Sequence, residues 1–120
     1  MSSWGYGIIS TMVTDITTSR LSLWLEHKDF YLLDVRTTAE VWLPQTDGQV
    51  SYRLVDQKIK LNNYTKIVVY CRSGRTSQVA CYTLAGLGYN NLYNLVGGIN
   101  QWLEHDLPVV TEPPSLVILK

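Results

Sequence analysis

Cys71 ends the run Lys66-Ile67-Val68-Val69-Tyr70-Cys71 and opens Arg72-Ser73-Gly74-Arg75-Thr76-Ser77, after which a helical pattern begins. A β-branched apolar strand that stops at a cysteine, then a short loop of small and basic residues, is a setting for nucleophilic sulfur. Such a loop turns successive backbone N–H groups and the positive end of a helix toward the sulfur, and that favours thiolate over thiol. The alternative is a buried, inert cysteine, since free cysteine packs readily in cores. A basic loop containing glycine is a poor core neighbour, so Cys71 is read as the nucleophile. Cys81 lies within the following helix beside Ala80 and is read as structural rather than resolving.

The remaining candidates divide by position. Arg72 is either a solvated loop side chain or an anion ligand, and Arg75, at the start of the helix, is the one expected to face the pocket. Thr76 and Ser77 suit helix capping and substrate contact equally. Asp34 and Arg36 sit at the end of another strand, where a charge pair, with Arg36 reaching Glu40, would brace the rim without touching substrate. His27 and His105 fit no ligand spacing.

These residues need elements to hold them. The segment from Thr11 to Ile16 suits a short strand, with Thr17 or Thr18 capping a helix that carries Leu21, Trp24 and Leu25 on one face. Phe30 to Val35 reads as a strand buried on both sides. Thr37-Thr38-Ala39-Glu40 matches a capping box before a short helix stopped by Pro44. Asp47-Gly48 signals a turn, and Val50, Tyr52 and Leu54 alternate as a strand would. Val55 to Leu61 forms a connecting helix and Lys66 to Tyr70 a strand. The next helix is expected to bury Val79, Ala80, Thr83, Leu84 and Leu87 and to end at Gly88. Asn91 to Leu95 is the last strand, and Gly97-Gly98 leads into a helix with Trp102 and Leu103. Strands alternating with helices imply an α/β fold on a parallel sheet. The carboxyl ends of such strands form one ligand-binding rim, which would gather Cys71 with Asp34-Val35-Arg36.

The chain of 120 residues suits one domain with its own core, and ten basic residues balance ten acidic ones. That balance points to neither nucleic acid nor an anionic membrane as partner, and the aromatic residues lack the basic stripe of a base-stacking platform. No apolar run reaches membrane-spanning length. Two cysteines make neither a disulfide framework nor a zinc site, so no metal is expected. The first residues, Met1 to Ile9, lack the basic region of a signal peptide, and a cytoplasmic location follows as the expectation. Residues 1–10 are read as an N-terminal extension, 11–110 as the domain and 111–120 as a C-terminal tail.

Taken together, Leu32-Leu33-Asp34-Val35-Arg36, Glu40, the loop from Cys71 to Ser77, and Gly97-Gly98-Ile99-Asn100-Gln101-Trp102 resemble the single-domain sulfurtransferases of the rhodanese family. The resemblance implies a three-layer α/β fold, a five-stranded parallel sheet flanked by helices, with no organic cofactor and no metal. It further implies that Cys71 takes sulfane sulfur from a donor such as thiosulfate as a persulfide and yields it to a thiol or cyanide acceptor. Arg72, Ser73, Gly74, Arg75 and Thr76 would form the persulfide-binding loop, and a sulfur-accepting protein is a further partner of this kind.

One segment departs from the family pattern. Where the family reads Gly-His-Ile-Pro-Gly-Ala, this chain has Pro44-Gln45-Thr46-Asp47-Gly48, which implies a more polar pocket wall. Asp47 would then oppose a dianionic donor at the rim, unless it only shapes a turn with Gly48. Two other functions compete. A cysteine phosphatase needs an arginine after five intervening residues to grip phosphate bidentately, and Ser77 stands there instead. A non-catalytic interaction module of this fold commonly lacks the cysteine that this chain keeps. A persulfide carrier serving a partner enzyme would use the same Cys71 chemistry.

Overall fold

The structure is a computed structural model and describes residues 13–112 and 117–118. The proposed N-terminal extension lies outside the described residues.

Five short strands carry the fold: β1 (Val13–Ile16), β2 (Tyr31–Asp34), β3 (Gly48–Gln49), β4 (Ile67–Tyr70) and β5 (Leu92–Leu95). They pair in the order β1-β5-β4-β2-β3, every pair parallel. The tail adds β6 (Val117–Ile118), parallel to β3 at the sheet edge. Four helices link them: α1 (Thr18–Trp24), α2 (Val55–Lys58), α3 (Arg75–Gly86) and α4 (Gly98–Glu104).

Both sheet faces are buried, which explains the unbroken apolar strands. Alternate residues of β4 point opposite ways. Ile67 and Val69 join Leu33, Val55, Ala80 and Leu84 on the α2–α3 side, while Val68 and Tyr70 join Leu21, Leu32, Ile99 and Trp102 on the α1–α4 side. Thr17 caps α1 by accepting from the Arg20 backbone N–H at 3.2 Å. Gly88, with φ 104°, follows the end of α3 as the left-handed residue expected there.

Three local expectations fail, each for a visible reason. The capping box at Thr37–Glu40 starts no helix. Within it the Thr38 carbonyl accepts from the Arg72 side chain, and just beyond it the Trp42 N–H and carbonyl pair with Val110. The alternation from Val50 to Leu54 is not a strand: β3 ends before it, at Gln49. β2 ends at Asp34, whose carboxylate accepts the Arg36 N–H at 2.8 Å, and the last backbone bonds across are Val50 N–H to the Asp34 carbonyl and Tyr52 N–H to the Val35 carbonyl. Tyr52–Leu54 then winds into a 3-10 turn capped by Ser51. On α3 the buried side chains are Ser77, Ala80, Cys81, Leu84 and Ala85, while Val79 and Leu87 are exposed. The buried face of α3 is rotated from the one expected because Ser77 turns inward to the cysteine.

Candidate active site

Since all strands run parallel, their carboxyl ends meet at one rim. β4 delivers Cys71, β2 delivers Val35 and Arg36, and the residues after β3 deliver Tyr52. A cavity of about 360 Å³ opens there, lined by these residues with Thr37, Thr38, Arg72, Ser73 and Thr76.

The loop after β4 wraps the sulfur. Gly74 sits at φ 94° as the N-cap of α3, a conformation that favours glycine, and its own N–H donates to Cys71 Sγ at 3.2 Å. The Ser77 N–H donates to the same sulfur at 3.3 Å, and Ser77 Oγ lies 3.3 Å away. Burial pushes the Cys71 thiol up, but the Ser77 hydroxyl and the N–H groups of Ser77, Gly74 and Ser73 prevail and hold it below the ordinary thiol value. Cys81 is buried without such donors, and burial pushes its thiol up to about 12. Only Cys71 has an environment suited to a thiolate.

The loop is clamped from below by α4. Ile99 N–H donates to the Cys71 carbonyl and Asn100 N–H to the Arg72 carbonyl, each at 2.9 Å. Gly98, at φ 57°, brings the helix so close that any Cβ would lie 2.4 Å from both carbonyl oxygens.

The cavity's two arginines differ. Arg36 is buried and pairs bidentately with buried Asp34, Nε to Oδ1 at 3.0 Å and Nη2 to Oδ2 at 2.6 Å, while Nη2 also donates to the Val41 carbonyl. Its charge is matched by Asp34, and it braces the wall. Arg72 is exposed at the mouth, reaches the Thr38 carbonyl at 3.4 Å, and has no carboxylate partner among the described residues. Arg75 is exposed and outside the cavity lining, so the expectation that it faces the pocket fails. Glu40 is exposed and has no hydrogen-bond or ion-pair partner among the described residues, so the expected Arg36–Glu40 brace is replaced by Arg36–Asp34.

Asp47, expected at the rim, is not there either. It precedes β3, so it lies at the opposite end of the parallel sheet from Cys71. There it accepts from Lys28 Nζ at 2.5 Å and from the Leu32 N–H at 2.8 Å. It contributes nothing to the pocket wall. Nothing in the sequence marks Tyr52, Thr37 and Thr38 as wall residues, because their placement depends on turns with no local signature. Asn94 has only a weak signal, an amide inside a largely apolar strand.

A family model, the rhodanese-like domain, matches residues 17–105. A sulfurtransferase of Allochromatium vinosum is 36% identical over 103 residues, which span 82% of this chain and 96% of that one. The thiosulfate sulfurtransferase GlpE of Actinobacillus succinogenes is 28% identical, over 82% of this chain and 91% of its own. Among solved structures, a rhodanese-related protein of Thermoplasma volcanium superposes with a TM-score of 0.72 at 28% identity, covering 82% of this chain and 99% of that chain. The chain belongs to the rhodanese-like family, and the first two of these relatives are named as sulfurtransferases.

Proposed function

We propose that this chain is a sulfurtransferase in which Cys71 carries sulfane sulfur between a small anionic donor of the thiosulfate type and a thiol or cyanide acceptor. The observation that carries the reading is the convergence of the Gly74 and Ser77 N–H groups on Cys71 Sγ at the floor of an open cavity. The Cys71 thiolate attacks the outer sulfur of the donor. A new S–S bond forms, and the donor's own S–S bond breaks with its electron pair leaving on sulfite. The acceptor then attacks the outer sulfur of the persulfide, and Cys71 departs as thiolate. Two displacements replace one difficult transfer. The amides stand in place before charge arrives, so they stabilise it without reorganising. Arg72 supplies the positive charge that draws an anion to the mouth, and Ser73 and Thr76 offer neutral polar contacts.

The keeping of a nucleophile in this setting argues against a purely non-catalytic module of the same fold. Intact mass tests the reading. Incubation with thiosulfate should add the mass of one sulfur atom, and cyanide should remove it. A folded protein that gains no sulfur from thiosulfate or any other sulfane donor would overturn the assignment.

A further inference from the structure

Asn94 belongs to β5, outside the cysteine loop, and is buried. Its side chain ties the loop at two points: Nδ2 donates to the Gly74 carbonyl at 3.1 Å, and Oδ1 accepts from Ser77 Oγ at 2.5 Å. These partners fix the amide's orientation, because turning it over would set two acceptors, Oδ1 and the Gly74 carbonyl, against each other.

A serine hydroxyl has one proton to give. Two acceptors lie within reach of Ser77 Oγ, namely Asn94 Oδ1 and Cys71 Sγ. While Cys71 is a thiol, the chain is satisfied throughout: S–H donates to Ser77 Oγ, and Ser77 donates to Asn94. When Cys71 ionises, its proton leaves and a serine lone pair would face the sulfur anion. The hydroxyl proton must then turn to the sulfur, and the buried Asn94 Oδ1 loses its donor. An unsatisfied buried acceptor is unfavourable, so ionisation is opposed by the bond it breaks.

We propose that Asn94 is a positioning residue that sets the acidity of Cys71 by competing with its sulfur for the Ser77 hydroxyl proton. The inference rests on Cys71 being the nucleophile and assigns regulation of that same site. Its chemical consequence has two parts. The thiolate stays more basic than the amide loop alone would leave it, and a more basic thiolate is the stronger nucleophile. Once Cys71 holds a second sulfur, Sγ is neutral and without a proton, so the hydroxyl returns to Asn94. The loaded enzyme regains the bond that the free thiolate gave up.

The test is the pH profile of Cys71 alkylation by iodoacetamide on the full chain, with peptide mass spectrometry separating Cys71 from Cys81. This readout needs no sulfur donor, so it stands or falls separately from sulfur transfer. Asn94→Ala should move the midpoint down by about one pH unit, a tenfold rise in the thiolate-to-thiol ratio. Ser77→Ala should move it up, and Asn94→Ala in the Ser77→Ala background should add no downward shift. A residue that merely held the loop in shape would raise the midpoint on removal, with or without Ser77. An Asn94→Ala midpoint that stays put or rises, or a downward shift that survives without Ser77, overturns the proposal. Should Asn94→Ala fail to fold, Ser77→Ala decides alone: an unmoved midpoint means the hydroxyl does not serve the thiolate, and the competition does not exist.

Discussion

Replacing Gly98 by alanine should damage the site without changing the side chain of any residue that lines the sulfur cavity. The added Cβ would lie 2.4 Å from the Cys71 and Arg72 carbonyl oxygens. An ordinary C–H···O contact is ~3.3 Å, so α4 and the loop must separate by roughly 0.9 Å. The Ile99 N–H and Asn100 N–H bonds to those carbonyls, now 2.9 Å each, would stretch to roughly 3.8 Å and cease to be hydrogen bonds. Each lost bond costs about 0.5–1.5 kcal/mol, and a left-handed alanine adds about 1–2 kcal/mol. The total is about 2–5 kcal/mol, within the ~5–15 kcal/mol of a typical domain. The protein should still fold, with a melting temperature lower by roughly 10–25 °C. Because the displaced carbonyl belongs to Cys71, sulfur transfer at a temperature where the variant is folded should fall about a hundredfold. Gly86→Ala is the matched control, since no heavy atom lies within 4 Å of its Cβ; it should stabilise by up to about 0.5–1 kcal/mol. Scanning calorimetry and initial rates read both. A Gly98→Ala protein with native melting and native turnover would show that the α4 clamp does not hold the cysteine.

Cys71→Ser should abolish sulfur loading with the fold intact, whereas Cys81→Ala should load normally, by intact mass, because burial keeps Cys81 a thiol. Arg36→Ala leaves the buried Asp34 carboxylate without its guanidinium and should cost about 3–5 kcal/mol in urea unfolding, while exposed Glu40→Ala should stay within about 0.5 kcal/mol. Arg72→Gln should raise KM for an anionic donor several-fold and flatten its salt dependence, with kcat much less affected, because the charge sits exposed at the mouth; an unchanged KM removes Arg72 from donor capture. The two thiols should oppose each other in pH dependence. Cys71 is lowered in the fold, so its contribution to stability is present above the ordinary thiol value and lost as pH falls through the folded one. Cys81 is raised to about 12, so its contribution is present below the ordinary value and lost as pH rises toward that pKa. Alkylation should accordingly reach Cys71 below the ordinary thiol range and spare Cys81 across the neutral range.

The strands were legible because burial on both faces leaves a direct mark, a continuous apolar run such as Ile67–Tyr70. The cysteine loop was legible for a different reason. Gly74 must be left-handed, the donors to Cys71 belong to residues within six positions of it, and the helix begins at once. A site made by local backbone is written locally. Even Gly97-Gly98 announces a tight entry to α4, although the partner it approaches is distant in sequence.

The cavity walls obey no such locality. Thr37–Glu40 has the composition of a helix start, yet its Thr38 carbonyl is met by Arg72, 34 positions away, and Trp42 just beyond it pairs with Val110. Tyr52 reaches the rim because its N–H donates to the Val35 carbonyl at 3.1 Å, just past the end of the neighbouring strand. In sequence Asp47 adjoins a strand that ends at the cysteine rim. In a parallel sheet, however, the residue before a strand and the residue after it stand at opposite ends, so one residue's choice of side decides whether a carboxylate meets the donor. The Lys28–Asp47 pair fixes that choice at the amino end. The pocket is therefore more cationic than its sequence suggests. Asp34 matches Arg36, the acid expected to oppose Arg72 sits at the far rim, and an anion approaching Cys71 meets one unmatched guanidinium among the residues that line the cavity.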